Sequence, residues 1–173
     1  SLSTRTTHPY YLNLIEEVLN EVGISCQLIN PYELKTKGEM LKDCKDLDAL
    51  KKAIPSTVSC SNWHRNNKQC GRCVPCIIRK SAIYKANINK DAPYTSEKLS
   101  TVANISGKDI KKDDVLALQA ANKRLLNTST NLKRWVRQSG PLPSEINRRN
   151  ALVDTFRRGL KEVGELLKSE KLL

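Results

Sequence analysis

The segment CSNWHRNNKQCGRCVPC, residues 60–76, decides how the rest of the chain is read. It sets Cys60, Cys70, Cys73 and Cys76 in a C-x9-C-x2-C-x2-C arrangement. Four thiolates are the ligand set of a closed tetrahedral Zn²⁺ site, and a two-residue spacer lets neighbouring cysteines turn onto one ion. Gly71 supplies the backbone freedom such a knuckle needs. Pro75, pre-organised for a first helical turn, is expected to start a helix over residues 76–85. A site with no open coordination position is structural rather than catalytic, and metal binding of this kind contributes on the order of 10 kcal/mol to folding. Iron–sulfur proteins also use tight cysteine spacing. That alternative stays open here, as does His64 standing in for a cysteine, although beside Trp63 it reads as a solvated loop histidine.

Four thiolates around one dication leave two negative charges. Arg65, Lys68, Arg72, Arg79 and Lys80 lie in a stretch without Asp or Glu and are expected to offset them, with substrate binding as the alternative role. A second stretch without acid, residues 115–144, holds Lys123, Arg124, Lys133, Arg134 and Arg137. Over 173 residues, 30 Lys and Arg against 18 Asp and Glu leave a formal charge of +12. With 39% apolar residues the chain can bury a core, which excludes disorder over its length. No apolar run approaches the ~20 residues of a bilayer span, and residues 1–9 carry no signal-peptide pattern. The expected setting is a reducing cytoplasm with no membrane partner, where clustered cysteines read as metal ligands rather than disulfides.

Outward from the knuckle, Leu12, Ile15, Val18, Leu19 and Val22 recur at helical spacing after Thr7-His8-Pro9, predicting an amphipathic helix that faces a core and ends at Gly23. Ile24, Cys26 and Leu28 then alternate with Ser25 and Gln27 as in a strand stopped by Asn30-Pro31, with Cys26 buried. Thr36-Lys37-Gly38-Glu39 has the form of a capping box. A further helix is expected over residues 46–54 with Pro55 beyond it, and Cys44 reads as a helix-end thiol. Residues 87–112 read as a linker. Helices are predicted over 113–127, capped by Asp113, and over 131–138. The last, over 146–172, carries Leu152, Val153, Phe156, Leu160, Val163, Leu166 and Leu167 on one stripe. On its exposed face, Asp154/Arg158, Arg158/Glu162 and Lys161/Glu165 are expected to pair four residues apart.

Thr57-Val58-Ser59-Cys60 and Cys70-Gly71-Arg72-Cys73-Val74-Pro75-Cys76, with Arg79 on the following helix, resemble the zinc segment of the 7-cyano-7-deazaguanine synthase (QueC) family of PP-loop ATP pyrophosphatases in queuosine biosynthesis. Ile29-Asn30-Pro31 and Thr36-Lys37-Gly38-Glu39-Met40-Leu41 are similar to that family's strand, proline and Thr-Lys-x-Glu helix, so the resemblance covers about residues 1–86. Gly140 to Pro143 and Arg157-Arg158-Gly159 resemble more closely the QueC-like proteins that accompany anti-phage systems. The resemblance implies ATP- and Mg²⁺-dependent ligation: the carboxylate of 7-carboxy-7-deazaguanine is adenylylated and a nitrogen nucleophile displaces AMP. In the defence-associated relatives that nucleophile can belong to a protein.

The Ser-Gly-Gly-x-Asp-Ser loop that would cradle the triphosphate does not occur in this sequence. The resemblance therefore implies that the chain is the C-terminal portion of a longer protein, inactive alone and partnered by an N-terminal PP-loop portion. The fold class expected is mainly α with a little β. Residues 1–90 form the end of an α/β PP-loop domain with its zinc knuckle, and residues 91–173 a helical extension. Ser3, Arg5, His8 and Lys37 are the candidate substrate contacts, with Thr7 as a helix cap. The rival reading is a zinc-containing module that docks nucleic acid or an acidic protein on the basic face of Lys123, Arg124, Lys133, Arg134 and Arg137. Only eight residues are Trp, Tyr or Phe, which argues against a stacking platform for single strands.

Overall fold

The computed structural model describes residues 7–63, 67–104, 113–127 and 129–173. Helix α1 spans Pro9–Glu21, α2 Lys37–Lys42 and α3 Leu47–Ala53, the last running into a 3₁₀ turn at Ile54–Ser56. Beyond the knuckle come α4, Val74–Lys85, and the short α5, Leu99–Ala103. Helix α6 is Asp113–Leu126, α7 is Leu132–Val136 with a 3₁₀ turn at Arg137–Ser139, and α8 is Ile146–Ser169. His64, Arg65, Ser3 and Arg5 lie outside the described residues.

Helix α8 organises the molecule. It packs on α4, α6, α7 and α2, and its stripe supplies Val163, Leu166 and Leu167 to a core completed by Ile77 of α4, Leu99 and Val102 of α5, and Val115 of α6. That core crosses residue 90. A second apolar cluster, Ile54, Ile83 and Ile88 with Leu41 and Leu50, ties α2 and α3 to α4. Residues 87–104 are therefore more than the predicted linker: α5 buries Leu99 and Val102 because its apolar pair has a place between α6 and α8.

Local chemistry sets most boundaries as expected. At α2 the Thr36 hydroxyl accepts from the Glu39 N–H at 3.1 Å while the Glu39 carboxylate accepts from the Thr36 N–H at 2.9 Å, completing the capping box. Asp46 caps α3 through the Ala49 N–H at 2.9 Å, and Asn131 caps α7 through that of Arg134 at 3.0 Å. Pro55 lies beyond the end of α3, as expected, in the 3₁₀ turn that follows it. The cap of α1 is His8, not Thr7: its Nδ1 accepts from the Tyr10 N–H at 3.2 Å.

The first third departs from expectation. Among the described residues there is no strand, and β-type pairing is confined to a bridge between Gln69 and Tyr94. Residues 24–30 run irregularly, held to α1 where the Glu16 carboxylate accepts from the Leu28 N–H. Cys26, expected to be buried, is exposed, as are Ile24 and Ile29. An alternating segment becomes a strand only when a neighbouring edge accepts its hydrogen bonds, and no described segment offers one. Helix α1 likewise leaves Val18 56% and Val22 66% exposed along the face expected to meet a core.

Candidate metal centre

The knuckle closes because each step of its backbone is accommodated. Cys60 follows the extended end of the 3₁₀ turn, and its carbonyl accepts from the Trp63 N–H at 3.3 Å. Gly71 adopts φ +78°, and a Cβ there would lie 2.1 Å from the Ser96 carbonyl oxygen, so both its conformation and its neighbour require glycine. Cys73 is the N-cap residue of α4, Cys76 stands in that helix's first turn with Pro75, and the Val74 N–H donates to Asp114 of α6 at 3.2 Å.

These turns bring the four ligand sulfurs within 4.8 Å of one another, all buried. The Cys70–Cys76 and Cys73–Cys60 sulfurs are each 4.0 Å apart. A tetrahedron with zinc–sulfur bonds of about 2.3 Å has edges of about 3.8 Å. The cluster fits one ion of that size. Backbone N–H groups point at sulfur: Cys70 and Asn62 donate to Cys60 at 3.2 and 3.3 Å, and Cys73 donates to Cys70 at 3.4 Å. Donors aimed at sulfur favour the thiolate. Thiol donation from Cys73 and Cys76 holds Cys70 far below its usual range, and that thiolate in turn pushes Cys73 and Cys76 up. Thiolates gathered at this spacing repel one another, and a divalent metal among them offsets that repulsion.

A strap covers the site. The Thr95 and Ser96 N–H groups donate to the Gln69 and Cys70 carbonyls at 2.8 and 3.1 Å, and Tyr94 packs against the sulfurs. The Tyr94 hydroxyl donates to Asp91, which is paired with Arg79 at 2.6 Å. Arg79 also reaches the Ile54 carbonyl at 2.7 Å and the Thr57 hydroxyl at 2.8 Å, joining the strap to the residues before Cys60. Its charge is thus met by Asp91 rather than by the sulfurs. Lys80 lies over the Tyr94 ring, 4.4 Å from its centroid, and donates to the Ser96 and Glu97 carbonyls at 2.8 Å. Burial pushes the Tyr94 phenol up, Asp91 adding to the effect, and burial pushes Lys80 down.

The remaining candidates do not join this site. His8 caps α1 and lies against Gly140, where a Cβ would sit 2.8 Å from its Nε2. Lys37 begins α2 and lines a cavity of about 240 Å³ with Thr36, Ile78, Phe156 and Glu162. Glu162 was expected to pair with Arg158 on an exposed face. It is instead buried, accepting from the Thr36 hydroxyl at 2.5 Å and the Gly38 N–H at 3.1 Å. Glu165 pairs with Lys85 at 3.0 Å rather than Lys161, while Arg158 keeps Asp154 at 2.7 Å and adds Glu39. Asp91 and Tyr94 bond to one another across three residues, but the Arg79 and cysteines that they brace lie 12 or more residues earlier, and the partners of Glu162 lie more than 120 residues away, so none of the three was read as part of a site.

Residues 7–87 match the family model described as queuosine biosynthesis protein QueC. Over that span the chain is QueC-like. No curated protein and no solved structure matches it. The QueC match takes in α1 to α4 and all four cysteines, and ends just past the last residue of α4. The strap that covers the QueC-type knuckle, and α5 to α8, follow it.

Proposed function

We propose that this chain is the zinc-bearing C-terminal portion of a QueC-like ligase that acts on the carboxylate of a 7-deazaguanine, with the ATP- and Mg²⁺-binding PP-loop on an N-terminal portion of the same protein. The family match over residues 7–87 and the buried four-cysteine cluster within it support the ligase assignment. The observation that carries the division of labour is the exposed apolar surface of the matched segment. Helix α1 exposes Tyr11, Leu14 and Val18, its C-cap residue Val22 is exposed too, and the strand-patterned residues after it expose Ile24 and Ile29. An amphipathic helix followed by an alternating segment suits a layer packed on a sheet.

ATP, when bound, supplies the adenylyl group that turns a carboxylate oxygen into a leaving group for a nitrogen nucleophile. The roles of this chain are binding and support. Zinc at Cys60, Cys70, Cys73 and Cys76 would fix the start of α4, with its four positions taken by sulfur and none left for substrate. Lys37, exposed beside the capped turn of α2, is positioned to meet an anionic group. The family's nucleophile is a small nitrogen compound; in the defence-associated branch it would be an amine of a protein.

The test is pyrophosphate release from ATP in the presence of 7-carboxy-7-deazaguanine, by the chain alone and by the chain joined to the portion encoded upstream of Ser1. The reading expects no release by the chain alone and turnover by the joined protein. Release by the chain alone, or an upstream portion without a PP-loop, contradicts it.

A further inference from the structure

Among the basic residues, two populations differ. Arg79, Arg148, Arg157 and Arg158 each end on a carboxylate. Lys133, Arg134 and Arg137, on α7 and its 3₁₀ turn, are exposed and meet no acid among the described residues. Residues 115–144 contain none to offer. The guanidinium of the half-buried Arg149 donates to the Ser144 carbonyl, at 3.4 Å, and pairs with no acid among the described residues. Glu145, the nearest acid in sequence, pairs with none of the four.

These side chains share one surface. Asn131, Lys133, Arg134 and Arg137 line an open concavity of about 490 Å³, and Lys133, Arg137 and Arg149 line a second of about 340 Å³ with Pro141 and Leu142. Lys133 and Arg137 belong to both, so the two are continuous. The platform is held from below: Trp135 meets Phe156 of α8 edge to face at 5.2 Å, Arg124 covers its ring at 4.4 Å, and Val136 is buried.

We infer that this α7 surface docks the phosphate backbone of a nucleic-acid duplex, through Lys133, Arg134, Arg137 and Arg149. Unneutralised lysine and arginine with an asparagine beside them are the groups that meet backbone phosphates. The surface is open, and Pro141 and Leu142 at one end are the only apolar side chains that line it, whereas protein interfaces centre on buried aromatic or aliphatic anchors. No aromatic ring lines it, Trp135 being held by Phe156 and Arg124, so bases have nothing to stack on and a single strand is disfavoured. The surface lies outside the QueC match and is independent of the ligase reading.

The probe is a fluorescent random-sequence DNA duplex, titrated with the zinc-loaded full chain from about 50 to 200 mM salt. Four phosphate contacts give a slope of log affinity against log salt of about −3.6, which is a fall of about 150-fold across that range. Lys133→Gln, Arg134→Gln and Arg137→Gln should each reduce the slope by about 0.9. Lys133→Glu, Arg134→Glu and Arg137→Glu together should abolish binding, while Lys51→Glu with Lys52→Glu on α3 leaves it intact. Because the replaced side chains are exposed, circular dichroism and zinc content should match the parent chain. No binding at low salt, loss on the α3 change alone, tighter binding of the corresponding single strand, or equal competition by polyglutamate or by anionic lipid vesicles overturns the inference.

Discussion

The knuckle and the first third of the chain carry equally plain sequence patterns, yet one closes and the other stays open. In the knuckle the ligands lie within residues 60–76, so short-range turns suffice to gather them, and the strap of residues 91–97 seals the result. The α1 helix and the alternating residues after it need a partner surface from elsewhere. Among the described residues none is supplied, and Val18 and Val22 are exposed. A pattern states which face wants burial, while the presence of a partner decides whether burial occurs.

Breaking the knuckle should have the largest effect. Cys73→Ser removes one ligand of a site whose metal contributes on the order of 10 kcal/mol, so the chain should lose its helical circular dichroism signal and its zinc together. Val18→Asp, on the open face of α1, should leave the chain's stability within about 0.5 kcal/mol by urea titration. A loss of several kcal/mol there would show that α1 is buried in solution and end the contrast.

Gly71→Ala tests the seal. The added methyl group meets the Ser96 carbonyl in a backbone conformation that side chains rarely adopt, and a loss of about 1–3 kcal/mol is expected by urea titration. Next is Glu162→Ala, which leaves the Thr36 hydroxyl and the Gly38 N–H without their acceptor. A cost of about 1.5–3 kcal/mol is expected, because the bonds go to a carboxylate.

The smallest effect concerns pH. Arg158 holds the Glu39 carboxyl below the usual carboxylate range, and with Arg157 does the same for Asp154. A depressed folded-state value contributes stability above the unfolded value, near about 4, that is lost as pH falls through the folded one. Melting temperatures of the parent chain and Arg158→Gln should therefore converge between about pH 5 and 3, with the parent higher at pH 5. The pairs are largely exposed, so the gap should be small, and a gap that widens on acidification would contradict the assignment.

What was legible in the sequence follows the same division. Cys60 to Cys76, the Thr36–Glu39 box and the apolar stripe of α8 were readable because each depends on spacing within one segment. Tertiary partners were not readable. Glu162 and Glu165 fit a local pairing rule, yet α2 and Lys85 of α4 compete for them across more than 70 residues of chain. The strand expected over 24–28 failed for want of an edge, and the expected linker instead carried the strap, whose bonds to Gln69 and Cys70 are made by backbone and leave no mark in side-chain pattern.

The central claim, a QueC-type knuckle closed on one zinc by four cysteines, is tested most directly by elemental analysis with X-ray absorption at the metal edge on the purified chain. About one zinc per chain with four sulfur neighbours at about 2.3 Å is the result expected. Iron with an absorbance band near ~400 nm, as iron–sulfur centres show, or a folded chain whose cysteines bind no metal, would contradict it.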